Sequence, residues 1–138
     1  MNKKETLAKL NNFNKNTLME TLAIEFVNVG DDFLVAKMPV NSKVYQPYGI
    51  LHGGATAALA ETVGSCASVF FLNDETKAIK GLELSINHLK SKKEGVVFAV
   101  ARQMHKGRTT HLWEVKITDE DDNLIAISKI TNIILDKK

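Results

Sequence analysis

The chain is poor in the residues that stiffen or cross-link a fold. Among 138 residues there are one cysteine, two prolines and one tryptophan. The lone cysteine, Cys66, excludes an intrachain disulfide and points to a reducing compartment. The net charge is only +2. That is too little to make nucleic-acid binding a property of the whole protein, so any electrostatic function must come from a local cluster. The longest apolar run falls short of a membrane span, and the start, MNKKETLAKLNNFNK, lacks the apolar stretch of a secretory signal. These absences lead to the expectation of a cytoplasmic protein without a membrane partner. Glycine-rich phosphate loops, dinucleotide fingerprints, metal-ligand spacings and internal repeats are also missing.

The rest of the composition, 44% hydrophobic and 25% charged, is that of an ordinary globular protein. The length suits one domain over residues 1–138. Residues 5–22 carry Leu7, Leu10, Phe13, Leu18, Met19 and Leu22 at helical spacing. This predicts an N-terminal helical segment over 1–22, broken near 11–16, with Asn16 as an N-cap, lying on a sheet as a lid. Residues 23–29 read as a strand of imperfect alternation, because neither of its faces is purely apolar. Gly30–Asp32 is a turn, and 33–40 is a second strand in which Pro39 marks an end or an edge. The loop Asn41–Leu51 leads into a helix that starts at Gly53 or Gly54 and runs to about Phe71. Four strand-like segments follow, roughly 78–90, 95–105, 110–118 and 124–135. Their short connections make them antiparallel neighbours. Leu82, Leu84, Ile86 and His88 share a face, as do Trp113, Val115 and Ile117. The whole is α+β, an antiparallel sheet wrapped around one long central helix.

That helix and its start, His52 to Phe71, read HGGATAALAETVGSCASVFF. Glu61 is its only charge, and a buried carboxylate among small residues is costly unless it is paired or used. Glycines at a helix start leave N–H groups pointing outwards with the positive end of the helix dipole behind them.

The run Gln46 to Ser65, QPYGILHGGATAALAETVGS, resembles the signature of hotdog-fold acyl-CoA thioesterases. It is most similar to the phenylacetate-pathway and 1,4-dihydroxy-2-naphthoyl-CoA thioesterase group. The resemblance extends over about residues 20–135, through SINHLKS and GRTTHLWEVKITDEDDNLIAIS. It implies a hotdog fold and the hydrolysis of an aromatic or small to medium acyl-CoA, with 1,4-dihydroxy-2-naphthoyl-CoA the favoured substrate. It implies Glu61 as the catalytic carboxylate, either nucleophile or general base, and Gly53 N–H as the oxyanion donor. His52 would lie beside the substrate, and Gln46 would bind the thioester or orient water. No cofactor is implied, because coenzyme A is part of the substrate.

Ser65, one turn after Glu61, shares its face. Its hydroxyl either serves the substrate or bonds back to the helix backbone. Thr62, turned by about 100° from Glu61, and Gly54 complete the expected substrate-binding residues. The coenzyme A phosphates need cations or N–H donors. The resemblance places these at Lys90 and Ser91 on one turn, and at Lys106, Gly107 and Arg108 on another. His88 reads as a core or interface residue and Cys66 as a small hydrophobe. Glu61 lies nine residues after His52, half a turn out of phase and roughly 13 Å along the axis. Within one chain the two cannot easily meet one reacting group. A two-fold dimer would bring the helix start of one subunit to Glu61 of the other. The resemblance implies the same, with two interface sites per dimer and further pairing of dimers into tetramers. The rival reading is a non-catalytic module that binds acyl-CoA in the same groove, against which the retained Glu61 speaks. A hotdog dehydratase would want an Asp–His pair that is not found.

Overall fold

Every second side chain from Leu34 to Val40 is buried, and this two-residue period sets the inner face of the sheet. The computed structural model describes residues Met1–Lys138 throughout. Its elements are α1 (Lys3–Asn12), α2 (Leu18–Thr21), β1 (Glu25–Val29), β2 (Phe33–Val40), α3 (Gly53–Leu72), β3 (Lys77–His88), β4 (Gly95–Lys106), β5 (Thr110–Asp119) and β6 (Leu124–Asp136). The six strands form one sheet in the order β1-β2-β4-β5-β6-β3, antiparallel throughout. The chain crosses from β2 to the far edge through α3, so α3 lies across the inner face. Trp113, Val115 and Ile117 point into that face, as their alternation predicts.

The sheet buries the Thr56, Leu59, Ala60, Val63, Gly64, Ala67 and Ser68 stripe of α3. Contrary to the sequence reading, α3 is long and apolar enough, by length and composition, to cross a membrane. Its interspersed threonine, serine and glycine hid this when only unbroken apolar residues were counted. One stripe of it is met by protein here. The closest approach is at Gly64, where an added Cβ would fall 2.3 Å from Ile130 Cγ2.

Local irregularities account for the ambiguous strands. A bulge between Phe26 and Asn28 lets Ile24, Phe26 and Val29 all turn inwards, which no strict alternation allows. A second bulge, at Leu82, takes that residue out of phase with Leu84 and Ile86 and leaves it exposed. Pro39 pairs with Val96 of β4, while the β1 pairing ends at Lys37. Its missing N–H therefore costs no ladder bond.

Two expectations for the N-terminal segment are corrected. The N-cap of α2 is Thr17, whose Oγ1 accepts from Met19 N–H at 3.2 Å, because Asn16 is left-handed at φ 62°. The segment is also less a lid than an edge cover. Asn11 Oδ1 accepts from Phe26 N–H at 2.7 Å and its Nδ2 donates to Phe26 C=O at 3.0 Å. Asn14 Nδ2 donates to Ile24 C=O at 2.9 Å. Two asparagines thus satisfy the open side of β1.

A buried polar cluster lies between α3 and strands β5 and β6. Trp113 Nε1 and Asn132 Nδ2 both donate to Ser68 Oγ, at 2.7 and 2.8 Å. The Ser68 hydroxyl hydrogen therefore goes to His111 Nδ1, 3.0 Å away, which makes His111 neutral with its proton on Nε2. Burial holds the His111 pKa below its ordinary 6.5, with Lys106 and His105 adding to the effect.

Two predictions follow from this packing. Gly64→Ala gains about 1 kcal/mol of helix propensity but overpacks against a sheet methyl, at about 1–3 kcal/mol. The net effect should be a loss of stability, read as a lower Tm. Below pH 6.5 the unfolded His111 takes up a proton that the folded one refuses. The stability from keeping it neutral is complete above that pH and drains away as pH falls. Tm should therefore drop between pH 7 and 5, and drop less in His111→Gln; equal slopes would refute the assignment.

Candidate active site

The start of α3 is held by the loop that precedes it. Gln46 N–H bonds Ile50 C=O and Gly49 N–H bonds Gln46 C=O, both at 2.9 Å. This tight turn puts Gly49 at φ 75°, where glycine is unstrained. Leu51 N–H then bonds Lys92 C=O and His52 N–H bonds Val44 C=O, both at 2.8 Å. Tyr45 Oη donates to Lys93 C=O at 2.6 Å. These clamps fix His52 as the N-cap. Its Nδ1 accepts from Gly54 N–H at 2.7 Å, and its C=O accepts from Ala55 and Thr56 N–H at 3.0 and 3.2 Å. In the first turn that leaves Gly53 N–H without an acceptor in the chain. A free donor at the positive end of a helix is suited to an oxyanion.

Gly53 opens into a groove of about 330 Å³ that also gathers Gln46, Thr56, His88, Lys90 and Ser91. Two expected catalytic residues and two expected coenzyme A contacts thus share one surface. Gln46 Oε1 is engaged by Tyr48 N–H, which turns the amide so that Nε2 remains the donor. The sequence reading placed His88 in the core or an interface. It is exposed in this chain, and its Nε2 lies 2.9 Å from where a Cβ on Gly53 would be. The ring therefore needs a glycine at this position to lie so close to the donor. The HGG pattern signalled tight packing, but it did not reveal which side chain would use it.

Glu61 lies outside the groove, two turns along α3 from Gly53 and roughly 12 Å away along the axis. It is not buried as the sequence suggested. It lies on the flank of α3 next to the outer strand β3, with Cδ 3.7 Å from the Cβ position of Gly81. It takes part in none of the chain's ion pairs. The hydroxyl of Ser65, on the same face, is not tied back to the helix. Thr62 Oγ1 is, bonding Ala58 C=O at 2.7 Å. The Thr62 hydroxyl hydrogen and the Gly54 N–H are thus both engaged within the chain.

The basic residues divide in the same way. Lys92 pairs with Asp119 at 3.7 Å and with Glu120, which fixes the β3–β4 turn to the β5–β6 turn and raises its pKa. Lys90, Lys106 and Arg108 are exposed and stay out of the ion pairs. Gly107 N–H does not offer itself to a phosphate as expected, because it bonds Thr110 C=O at 2.8 Å. Lys106 and Arg108 lie at the opposite end of β4 from Lys90. Burial pushes the Cys66 thiol up to about 11, which keeps it protonated and unreactive. A larger cavity of about 450 Å³ lies beside β1, where Asn14, Lys15, Glu20 and Glu25 meet. It contains none of the expected catalytic, substrate or coenzyme A contacts.

The sequence pattern of the Thioesterase superfamily matches residues 48–126. The chain is 41% identical over 133 residues to the 1,4-dihydroxy-2-naphthoyl-CoA hydrolase of Escherichia coli K12, covering 96% of this chain and 97% of that one. A crystallised variant of the thioesterase PA1618 of Pseudomonas aeruginosa superposes with a TM-score of 0.93 at 39% identity, over 95% of this chain and 94% of that one. SAV0944 of Staphylococcus aureus, crystallised as two alanine variants, superposes with TM-scores of 0.82 and 0.83 at 38% and 40% identity. Coverage is 85% and 87% of this chain and 97% and 99% of that protein. A glutamine was replaced in one variant and, fifteen positions further on, a glutamate in the other; Gln46 and Glu61 stand at the same separation. The six-stranded antiparallel sheet wrapped on α3 is the hotdog fold, and the chain belongs to the Thioesterase superfamily as a thioester hydrolase.

Proposed function

We propose that the protein hydrolyses an acyl-CoA, aromatic or of small to medium size, at sites shared between the two subunits of a dimer. The observation that carries this is the division of labour along α3. A free oxyanion donor opens into a groove at Gly53, and an unpaired carboxylate waits two turns away on a different surface. One chain cannot bring them to a single carbonyl. A second copy related by a two-fold axis can, because its Glu61 then faces the Gly53 groove of the first.

The two edges of the sheet differ in a way that supports docking on one side. β1 is covered by Asn11 and Asn14. β3, twelve residues long, ends the sheet uncovered. Leu82 on β3 and Val69 on α3 are 61% and 58% exposed, so this side presents apolar surface next to Glu61. An open edge of this length is a template for pairing with another strand.

In the assembled site Gly53 N–H would take the thioester oxygen, with Gln46 Nε2 as a second donor and the His88 ring beside them. Glu61 of the other subunit would act on water or attack the carbonyl directly. The thiolate leaves readily because thiols are far more acidic than water or alcohols. Lys90 and Ser91 at the groove, and Lys106 and Arg108 from another strand end, supply positive charge and donors for the coenzyme A phosphates. The favoured acyl group is 1,4-dihydroxy-2-naphthoyl, on the strength of the similarity to the Escherichia coli hydrolase. The lone cysteine fits work in the reducing cytoplasm. Dimers of this kind would pair again into tetramers.

Thiol release from a panel of acyl-CoAs tests the chemistry. Glu61→Gln should lose at least about a hundredfold in turnover. Tight acyl-CoA binding without turnover in either form would instead make the protein a binding module. Sharing of sites has a separate test. Glu61→Gln and His52→Ala subunits, each inactive alone, should recover activity once mixed and exchanged, because each mixed dimer rebuilds one intact site. No recovery after proven exchange would refute sharing.

A further inference from the structure

The loop 41–52 sets where α3 begins, but it is tied to the rest of the chain at few points. Two of its hydrogen bonds leave it. Leu51 N–H donates to Lys92 C=O at 2.8 Å, and Tyr45 Oη donates to Lys93 C=O at 2.6 Å. The others close within the loop or on the first turn of α3. Both outward bonds therefore end on one stretch, residues 91–94 between β3 and β4. That stretch is neither helix nor strand. None of its own backbone N–H groups bonds a backbone carbonyl. The position of the helix start thus rests on a segment that has no ladder of its own.

One side chain anchors it. The Lys92 ammonium pairs with Glu120 and lies 3.7 Å from Asp119. The Lys92 and Asp119 side chains are only 13% and 7% exposed, and a shielded pair is screened far less than one on an open surface. The acceptors are themselves held. Asp119 Oδ1 accepts from Asp121 and Asn123 N–H at 3.0 and 2.8 Å, and Glu120 accepts from Val96 N–H at 2.7 Å. Ser91, Lys93 and Glu94 make no ion pair. Lys92 also borders the Gly53 groove. With two carboxylates against it, its charge is already met, and it offers little to a phosphate. Its ammonium holds the chain rather than the substrate.

We propose that Lys92 is a positioning residue, whose ammonium, held by Asp119 and Glu120, fixes the carbonyl that sets the start of α3 and so aims Gly53 N–H at the thioester oxygen; this rests on the reading of Gly53 as oxyanion donor given above. Leu51, which bonds that carbonyl, lies two residues before Gly53. An oxyanion donor has to stand about 2.7–3.1 Å from the oxygen it steadies. A helix start that drifts by a fraction of this is felt in the chemical step. Binding at the groove is felt less, because Lys90 has its own tie, N–H to Ile125 C=O at 3.2 Å.

Lys92→Met and Glu120→Ala in the full-length protein test this, with an acyl-CoA that the unaltered protein hydrolyses. Both should lose at least about tenfold in kcat, the scale of a misplaced group. KM, and Kd for a non-hydrolysable acyl-CoA thioether, should stay near their original values. Lys92→Arg, which keeps the cation, should recover most of the kcat. Lys93→Met, which alters an exposed and unpaired side chain, should lose none. Amide hydrogen exchange reads the same event without turnover: in Lys92→Met the Leu51 N–H should lose protection while Val63, in the middle of α3, keeps it. Full turnover in Lys92→Met would overturn the proposal, as would an equal loss in Lys93→Met. If Lys92→Met failed to fold, full turnover in Glu120→Ala would overturn it alone. A direct substrate contact would give another pattern and also overturn it: KM would rise in Lys92→Met and fall in Glu120→Ala, where the ammonium is freed. Gly53→Pro addresses the underlying reading, because proline suits the first helical position and has no N–H. Full turnover there would refute Gly53 as the donor, whereas loss there with an active Lys92→Met would refute only the positioning role.

Discussion

An unbroken α-helix fixes the distance between any two of its residues, and α3 runs as one continuous helix from Gly53 to Leu72. The free Gly53 N–H and the Glu61 carboxylate are therefore held two turns apart. Much of the surrounding structure keeps that spacing useful. The loop clamps at Leu51 and His52 determine where the helix begins, and so which N–H is left over. His52 takes Gly54 N–H for itself, which leaves Gly53 N–H free. At the other end, Asn73 closes the helix in a left-handed conformation, its N–H bonded to Val69 C=O. The helix is defined at both ends, and the sheet sets its rotation through Gly64.

The asymmetry of the sheet edges belongs to the same arrangement. A free strand edge invites association with whatever strand arrives first. At β1 the chain suppresses this with its own asparagines, which imitate a neighbouring strand around Phe26. At β3 nothing of the kind is done, and the apolar Leu82 is displayed there. Covering one edge while leaving the other open would direct association to a single side, the one that carries Glu61. In the proposed dimer, association and chemistry would then draw on the same surface.

Most of the architecture could be read from the sequence, because it depends on period and punctuation. The clean alternation in β5 and the unbroken helix starting at the paired glycines carried their structure openly. What stayed hidden depended on long-range contacts. Bulges at Val27 and Leu82 scrambled the alternation of β1 and β3, since one extra residue reverses which face the following side chains take. The exposure of Glu61 was misread because composition describes a helix as a whole, whereas burial depends on which flank the sheet covers. Gly53 and Gln46 could be placed from local pattern. His88 could not, because its position against Gly53 joins residues thirty-five apart. Gly107 and Gly54 looked like open donors only until their own neighbours' acceptors were known.

The placing of the polar residues in the core makes a last connection. Where a core face could have been apolar throughout, Ser68, His111, Trp113 and Asn132 make a hydrogen-bonded cluster that leaves His111 Nε2 and Asn132 Oδ1 unpaired. Such departures from local consistency cost stability and tend to gather where function requires them. Within this cluster the two unpaired atoms belong to paired residues. His111 and Asn132 are direct partners across β5 and β6, and Asn132 reaches the helix turn between Glu61 and Ser68. Gly64 brings that turn tight against Ile130 from the apolar side, while Asn132 holds it from the polar side. That turn thus meets two unlike contacts, the Ile130 methyl against Gly64 and the Asn132 amide on Gly64 C=O and Ser68 Oγ.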